Sequence, residues 1–387
     1  MEFTGANVVV VGAGIGGLAA SLVLARRGAK VRVLEQAPQI KEVGAGLQIS
    51  PNGYQVLNAL GLGQGLRANC VQAEHICLRN AAGKRITTLR FNLTGHTDYY
   101  CAHRADLVDL LLTAANEAGI EIVTGCKVAE VMPAAPPYLK DDRGQIHRAD
   151  LIVGADGLHS VARAALNGTV APFFAQQVAW RAVIPNAAPE PQVDLYMGAG
   201  RHVVSYPLRG GTQRNIVAVQ QRPQWVAESW SQTDSAQSLQ QTFADFGSDV
   251  TTLLGKVNTV HLWGLFRHPI APVWHRDGVV LLGDAAHPTL PFLAQGANMA
   301  LEDAWALGRC LSGAGSLDAG LASYHSMRVD RTTRVVQAAN KNSWKYHIAF
   351  KPLQAAAHAV MWLGGAIAPQ RMIGQFDWLY GYDVTRD

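Results

Sequence analysis

The stretch from Asn7 to Glu35 constrains the fold more than any other part of the chain. Asn7–Val11 is a β-branched run that suits a strand buried on both faces. It runs into Gly12-Ala13-Gly14-Ile15-Gly16-Gly17, a GxGxxG pattern at Gly12, Gly14 and Gly17. Ile15 to Arg27 has helical spacing, Gly28 stops it, and Val31–Leu34 reads as a second buried strand. Two parallel strands joined by a helix make a right-handed βαβ unit. The three glycines serve a tight turn, close approach of backbone to a pyrophosphate, and close packing of helix on strand. Phosphates then meet free amides at the positive end of the helix. Glu35 ends the second strand, 18 positions after Gly17, where a carboxylate can accept ribose hydroxyls. Strand, turn, helix, strand and acid in this order predict a dinucleotide site. A glycine turn without a ligand is the alternative, and Glu35 counts against it. The motif leaves nicotinamide and flavin dinucleotides undistinguished.

The rest of the chain fits a soluble, intracellular protein of a size to hold a cofactor. Its 387 residues allow two or three domains, and 49% are apolar against 16% charged, enough to bury a large core. A net charge of +4, evenly scattered, gives no footprint for nucleic acid. Five cysteines (Cys70, Cys77, Cys101, Cys126, Cys310) form no CxxC pair. Neither a disulfide framework nor a structural metal site is expected, and a reducing cytoplasm is. The N-terminus reads as a polar lead into a strand, not as a signal peptide. Leu353 to Ala368, the most apolar stretch, is interrupted by His358, Gly364 and Gly365 and reads as a pair of helices off the membrane.

Helical spacing covers Arg104–Ala118, with short strands at Glu121–Val123 and Lys127–Met132 and a buried strand at Asp150–Val153. From about Phe174 to Trp263 the texture becomes alternating strands such as Val178–Ile184, His202–Tyr206 and Asn215–Gln220, as in an antiparallel sheet. Gly278–Leu282 returns to a buried strand, followed by a helix over Ala294–Cys310 and helical pattern to the end. The expected fold class is α/β: a Rossmann-type domain with a mixed, mostly parallel sheet, an inserted antiparallel-sheet domain and a helical C-terminus. The boundaries are 1–173 and 266–320 for the nucleotide domain, 174–265 for the insert and 321–387 for the helical region.

Two further motifs carry chemistry. Gly283-Asp284 ends a strand and puts a carboxylate at the sheet's carboxyl edge, where ligands bind. The helix beginning near Gln295, with Gly296, Ala297 and Asn298, would aim amides at an electron-rich oxygen such as a reduced flavin presents. Asp156-Gly157 through Arg163, within GADGLHSVAR, reads on physical grounds alone as a turn and a capped helix.

Together these three motifs resemble the single-component FAD-dependent aromatic hydroxylases, of the salicylate, 3-hydroxybenzoate and 6-hydroxynicotinate type. VGAGLQISPNG at Val43–Gly53, AHRADL at Ala102–Leu107 and the ending DWLYGYDV add to the likeness, which spans most of the chain. The resemblance implies FAD as cofactor, NADH or NADPH and O2 as co-substrates, and hydroxylation of a small aromatic ring through a flavin C4a-hydroperoxide. It assigns Glu35 to the adenosine ribose, with Gln36 and Val128 also among the cofactor-binding residues, and Arg104 to the pyrophosphate and ribityl side. Asp284, with Gly283, falls to the ribityl–phosphate region, and the Gly296–Asn298 backbone to the flavin's N1–O2 edge. Asp156, Gly157 and Arg163 match a motif the family links to both FAD and NAD(P)H. Since no second GxGxxG follows a strand, NAD(P)H would be held only transiently.

On the strand His202–Tyr206, alternation puts His202, Val204 and Tyr206 on one face. His202 is placed to take a proton from a phenolic ring and Tyr206 to hydrogen-bond its hydroxyl; ordinary partly buried sheet residues are the alternative. The spacing resembles the active-site strand of the hydroxybenzoate and hydroxynicotinate enzymes. Gln48 and Pro291 fall at substrate positions where relatives carry other residues, and Pro291 favours a salicylate-like pocket. Arg181 is placed to meet a substrate carboxylate, with a solvated edge or domain-interface group as the commoner role of a strand Arg; Tyr99 and Tyr100 read as core packing, with a place in the pocket wall as the alternative, and His287 as a residue shaping its turn. A dehydrogenase or oxidase of the same fold, a non-catalytic flavin module and a larger ring substrate are the competing readings. A homodimer is left open.

Overall fold

The computed structural model describes residues 4–40, 45–186, 190–224 and 233–386. Val43 and Gly44 of the Val43–Gly53 motif lie outside the described residues. Val8 to Val11, each at most 5% exposed, form the centre of a six-stranded sheet. Asn7–Val11 pairs in parallel with Lys30–Leu34 on one side and Leu151–Gly154 on the other. Glu121–Val123 and Val279–Leu281 extend the parallel sheet outward, and His275–Arg276 adds one antiparallel edge. Strands buried on both faces need apolar side chains throughout, hence the β-branched runs. Helices Ile15–Arg26, Arg104–Glu117 and Gly296–Ser312 cover the sheet and share its core. This is the Rossmann-type domain the sequence predicts.

The second sheet has eight strands: Thr233–Asp234, Val260–Arg267, Phe173–Pro185, Gln213–Gln221, Arg201–Leu208, Gln192–Gly198, His75–Asn80 and Arg85–Arg90, in that spatial order. All neighbours are antiparallel except Gln192–Gly198 with His75–Asn80. The sheet is therefore not a single insertion over 174–265, because His75–Asn80 and Arg85–Arg90 leave the first segment to form its edge. Residues 128–148 likewise form a separate three-stranded sheet, Val128–Met132, Tyr138–Asp141 and Ile146–Arg148.

A small sheet, Gly46–Ile49, Tyr100–His103 and Val71–Gln72, joins the two domains. Gly46 is required there by contact: a Cβ would sit 2.6 Å from Asn215 Cγ and 2.7 Å from Tyr206 Cε2. Helix Leu317–Lys345 runs past both domains, with Leu321 and Tyr324 in the nucleotide-domain core and Val335 in the core beneath the eight-stranded sheet. Leu353 to Ala368 forms one helix, Lys351–Ile367, followed by the short Pro369–Gly374. Its Gly365 does not break it but lets it pack on the sheet, since a Cβ there would lie 1.9 Å from Thr87 Oγ1. Val360, Trp362, Leu363 and Ile367 on this helix are exposed. Among the described residues no helix is long and apolar enough to cross a membrane.

Candidate active site

The glycine turn has the shape a pyrophosphate needs. Gly12 has φ +99°, and a Cβ on Gly17 would meet Gly12 O at 2.0 Å, so strand and helix approach as only glycines permit. A Cβ on Gly14, between them, would meet nothing within 4 Å, so backbone is open to a ligand there. Glu35 closes the turn: Oε2 accepts from Ala13 N and Oε1 from Ala37 N, both at 2.8 Å. Each carboxylate oxygen keeps a second lone pair for a ribose hydroxyl. Gln36 beside it is exposed, and Val128 is buried at the start of its strand.

Asp284 lies in the turn after Val279–Leu281, and its Oδ1 is 4.0 Å from where a Cβ on Gly296 would sit. The carboxylate is open to solvent, yet desolvation by the surrounding protein raises its pKa, while His287, Arg104 and His268 pull it down. An accessible carboxylate so enclosed lies in a cleft. Arg104, the first residue of its helix, is exposed and acts on both Asp284 and Arg181. Asn298, fully buried, donates from Nδ2 to Gln48 O at 3.0 Å and to Ala294 O at 2.8 Å, and accepts from Ser50 N at 3.1 Å. It holds the start of helix Gly296–Ser312 against the interdomain sheet, with Gly296 and Ala297 partly accessible. These features fit FAD.

Beneath this turn lies a buried charge network absent from the sequence reading. Asp303 Oδ2 accepts from Gly283 N at 3.0 Å and meets His287 Nε2 at 2.5 Å, while Oδ1 accepts from Arg328 Nε at 2.7 Å. Arg328 also pairs with Glu302 at 2.6 Å, and Glu302 with Arg331 at 2.6 Å. Burial alone would raise the Asp303 carboxyl, but His287 and Arg328 bring it down to about 2. His287 thus shapes its turn, as expected.

Asp156 takes the position its sequence suggests on physical grounds. Its carboxylate accepts from Ser160 Oγ at 2.5 Å, Val161 N at 2.7 Å and Ala162 N at 3.2 Å, capping helix Val161–Asn167. Gly157 allows the turn at φ +74°. Arg163 is buried and donates to Ala285 O at 3.4 Å and Pro269 O at 2.5 Å, tying this helix to the Gly283–Ala285 turn. In this structure the pair organises backbone around the site.

The eight-stranded sheet turns one face toward these motifs. His202, Val204 and Tyr206 share that face, while Val203 and Ser205 point to the other, where Ser205 Oγ accepts from Arg214 Nε. Tyr206 is buried and hydrogen-bonds Arg181 and Gln48. Gln48 Oε1 in turn accepts from Tyr99 OH at 2.5 Å. Arg181 donates to Gly46 O at 2.6 Å and lies 4.8 Å from the Trp263 ring, the commoner, interface role. Tyr99 is both core and site, stacked on Phe91 at 4.5 Å, whereas Tyr100 turns its hydroxyl to Asp98 at 3.2 Å. His202 is 2% exposed and packs against Phe292 and Tyr346 at 5.8 and 5.4 Å, with its Nδ1 2.6 Å from His347 Nε2. Pro291, one residue before Phe292, is exposed at the rim. His347 and Tyr346 had no sequence signal, because a helix C-terminus is brought there only by the fold.

Cys126, Asp141 and His147 form a buried cluster at the three-stranded sheet of residues 128–148, where Cys126 N donates to Glu35 O at 2.9 Å. Both Cys126 Sγ and His147 Nε2 are directed at Asp141 Oδ2, at 3.8 and 3.3 Å. The carboxylate is thereby satisfied by protons.

Fold and site together define a flavin-dinucleotide-binding protein with a second sheet closing the cofactor cleft. A family model described as FAD binding domain matches residues 5–339, and the chain belongs to that family. It is 34% identical to 3-hydroxybenzoate 6-hydroxylase of Polaromonas naphthalenivorans, over 97% of this chain and 96% of the relative. It is 36% identical to 3-amino-4-hydroxybenzoate 2-monooxygenase of Streptomyces cremeus, over 89% of each. Among solved structures, Klebsiella pneumoniae HpxO complexed with FAD and uric acid superposes with a TM-score of 0.84 at 25% identity, over 96% of this chain and 97% of that one.

Proposed function

We propose that the protein is an FAD-dependent monooxygenase that uses NADH or NADPH and O2 to hydroxylate a small aromatic ring bearing a hydroxyl, such as a phenol or hydroxy-carboxylate. The observation that carries this reading is Gln48, whose backbone oxygen accepts from Asn298 and whose side chain meets Tyr99 and Tyr206. One residue thus couples the helix start suited to the flavin to the polar wall suited to a ring hydroxyl. The family membership and the activities of the hydroxylases at 34% and 36% identity support it.

When bound, FAD accepts a hydride and activates O2. Glu35, Gln36 and Val128 hold its adenosine end. Gly12, Gly14 and Gly17 receive the pyrophosphate with Arg104 and Asp284, and the amides at Gly296, Ala297 and Asn298 face the ring system. His202 and Tyr206 hold the substrate hydroxyl, Gln48 fixes Tyr206, and Pro291 borders the entrance. Phe292, Tyr346 and Val204 line this wall and keep water from it. The five cysteines, all free and buried, suit a reducing cytoplasm.

The test is to purify the protein, record its visible spectrum, and follow NADH and NADPH oxidation and O2 uptake with salicylate, 3-hydroxybenzoate and 6-hydroxynicotinate. A yellow protein whose NAD(P)H oxidation accelerates with one ring and yields its hydroxylated product supports the proposal. Bleaching of the flavin by a substrate without NAD(P)H overturns it in favour of an oxidase.

A further inference from the structure

We propose that His347 fixes the tautomer of His202 so that His202 presents an N–H to the substrate oxygen, making the site select the ring as its phenolate and not take up the phenol's proton. This rests on the reading that His202 touches the ring hydroxyl. His347 lies beyond the stretch matched by the family model, in the segment after helix Leu317–Lys345, and is 145 residues from His202 in sequence.

The inference follows from proton placement in a buried pair. His202 Nδ1 and His347 Nε2 are 2.6 Å apart, so one donates and the other accepts. Both rings are buried, at 2% and 3% exposure. Burial holds His202 well below the ordinary histidine range, with His347 adding to the shift, and burial takes His347 down to about 4, so both are neutral at pH 7. Each ring then carries one proton. His347 Nδ1 is buried with no hydrogen-bond partner among the described residues. Placing the His347 proton there would bury an orphan N–H, which costs more than leaving a lone pair unmatched. The proton therefore sits on His347 Nε2 and is donated to His202 Nδ1. His202 must then carry its own proton on Nε2, the nitrogen left for the substrate.

The surroundings favour an anion at that nitrogen. On its own strand the nearest titratable neighbour on the face is Tyr206, kept neutral by burial despite the Arg181 charge beside it. From the C-terminal segment come Tyr346, also raised by burial, to about 12, and His347. The Pro291–Leu293 turn contributes only the Phe292 ring. From Phe173–Pro185, the next strand but one, Arg181 supplies a positive charge, hydrogen-bonded to Tyr206. The His202 N–H stabilises a phenolate at the oxygen it meets, with Arg181 adding positive charge on the Tyr206 side, and the phenol's proton leaves to solvent as the ring binds.

The test is calorimetric titration of the oxidised, FAD-loaded enzyme with 3-hydroxybenzoate at pH 7.5 in buffers of different ionisation enthalpy, with ultraviolet difference spectra of the bound ring. The expected result is release of about one proton per site together with a phenolate spectrum. A phenolate spectrum with no proton release means His202 has taken the proton as a base, and overturns the inference. A neutral-phenol spectrum overturns it as well. His347→Gln retains an N–H donor toward His202 Nδ1 and keeps the proton release. His347→Glu places an acceptor opposite His202 Nδ1, draws the His202 proton there and abolishes the release while FAD stays bound. Equal release from both variants refutes the role of His347. Absence of binding by 3-hydroxybenzoate, salicylate and 6-hydroxynicotinate alike would instead refute the phenolic-substrate reading.

Discussion

Replacing Asp303 by Asn should destabilise the protein through the turn that carries Asp284. Asp303 is fully buried and serves three donors: Gly283 N, His287 Nε2 and Arg328 Nε. Its carboxyl, ordinarily near 3.8, stands at about 2 in the fold. That difference is worth ~2.4 kcal/mol at neutral pH. Removing one partner of a buried pair costs ~3–5 kcal/mol, because the remaining charge is left short of partners. For 387 residues the unfolding entropy is on the order of 0.8 kcal/mol per degree, so Tm should fall by about 3–6 °C. A carboxylate whose pKa is depressed stabilises the fold above its unfolded value and loses that contribution as pH falls through its folded value. The gap between wild type and variant should therefore be steady from pH 8 to ~5 and narrow only below ~4. Thermal melts of the FAD-loaded forms across this range provide the measurement. A loss under ~1 °C, or a gap that widens toward acid, would refute the network as drawn.

Gly17→Ala should prevent the helix from packing, since its Cβ would lie 2.0 Å from Gly12 O, whereas Gly14→Ala, facing open space, should spare the melting temperature of the apoprotein but weaken FAD about tenfold or more; fluorescence titration with FAD separates the two. His347 titrates at about 4 in the fold against 6.5 when exposed, so its contribution is complete above 6.5 and lost as pH falls toward 4, by up to ~3 kcal/mol. His347→Gln should flatten the decline of the urea midpoint over that range, and an unchanged slope would contradict the buried neutral state. Tyr206→Phe removes the hydroxyl that meets Gln48 and Arg181, and should lower kcat/KM about ten- to hundredfold while leaving FAD content unchanged.

The elements legible in the sequence were those whose signal is local. Asn7–Glu35 announces itself through period, glycine spacing and a terminal acid, and the stretch from Asp156 to Arg163 as a turn and a capped helix, with Ser160 at the N-cap. The alternation that put His202 and Tyr206 on one face needed only the geometry of a strand. Participation of His75–Arg90 in the second sheet was hidden, because strand partners are chosen by packing across long sequence separations and either face of a short run will serve. The charge network was hidden for a related reason. Glu302, Asp303, Arg328 and Arg331 read as an ordinary solvated helix pattern until helix Leu317–Lys345 lies against helix Gly296–Ser312 and buries their facing sides. His347 carries no motif, and its meaning comes entirely from the residue opposite.

Helix Leu317–Lys345 gives the active site a mechanical property. At 29 residues it extends ~43 Å, a stiff rod clamped through its first half by the Tyr324 hydroxyl on Leu281 O and by Arg328, and bearing His347 just past its far end. A swing of the sheet away from the nucleotide domain would draw His202 off the end of that rod and break a 2.6 Å contact. Entry of ring and nicotinamide at the rim, around Pro291, leaves that contact whole, so opening by the sheet carries the added cost of one buried hydrogen bond.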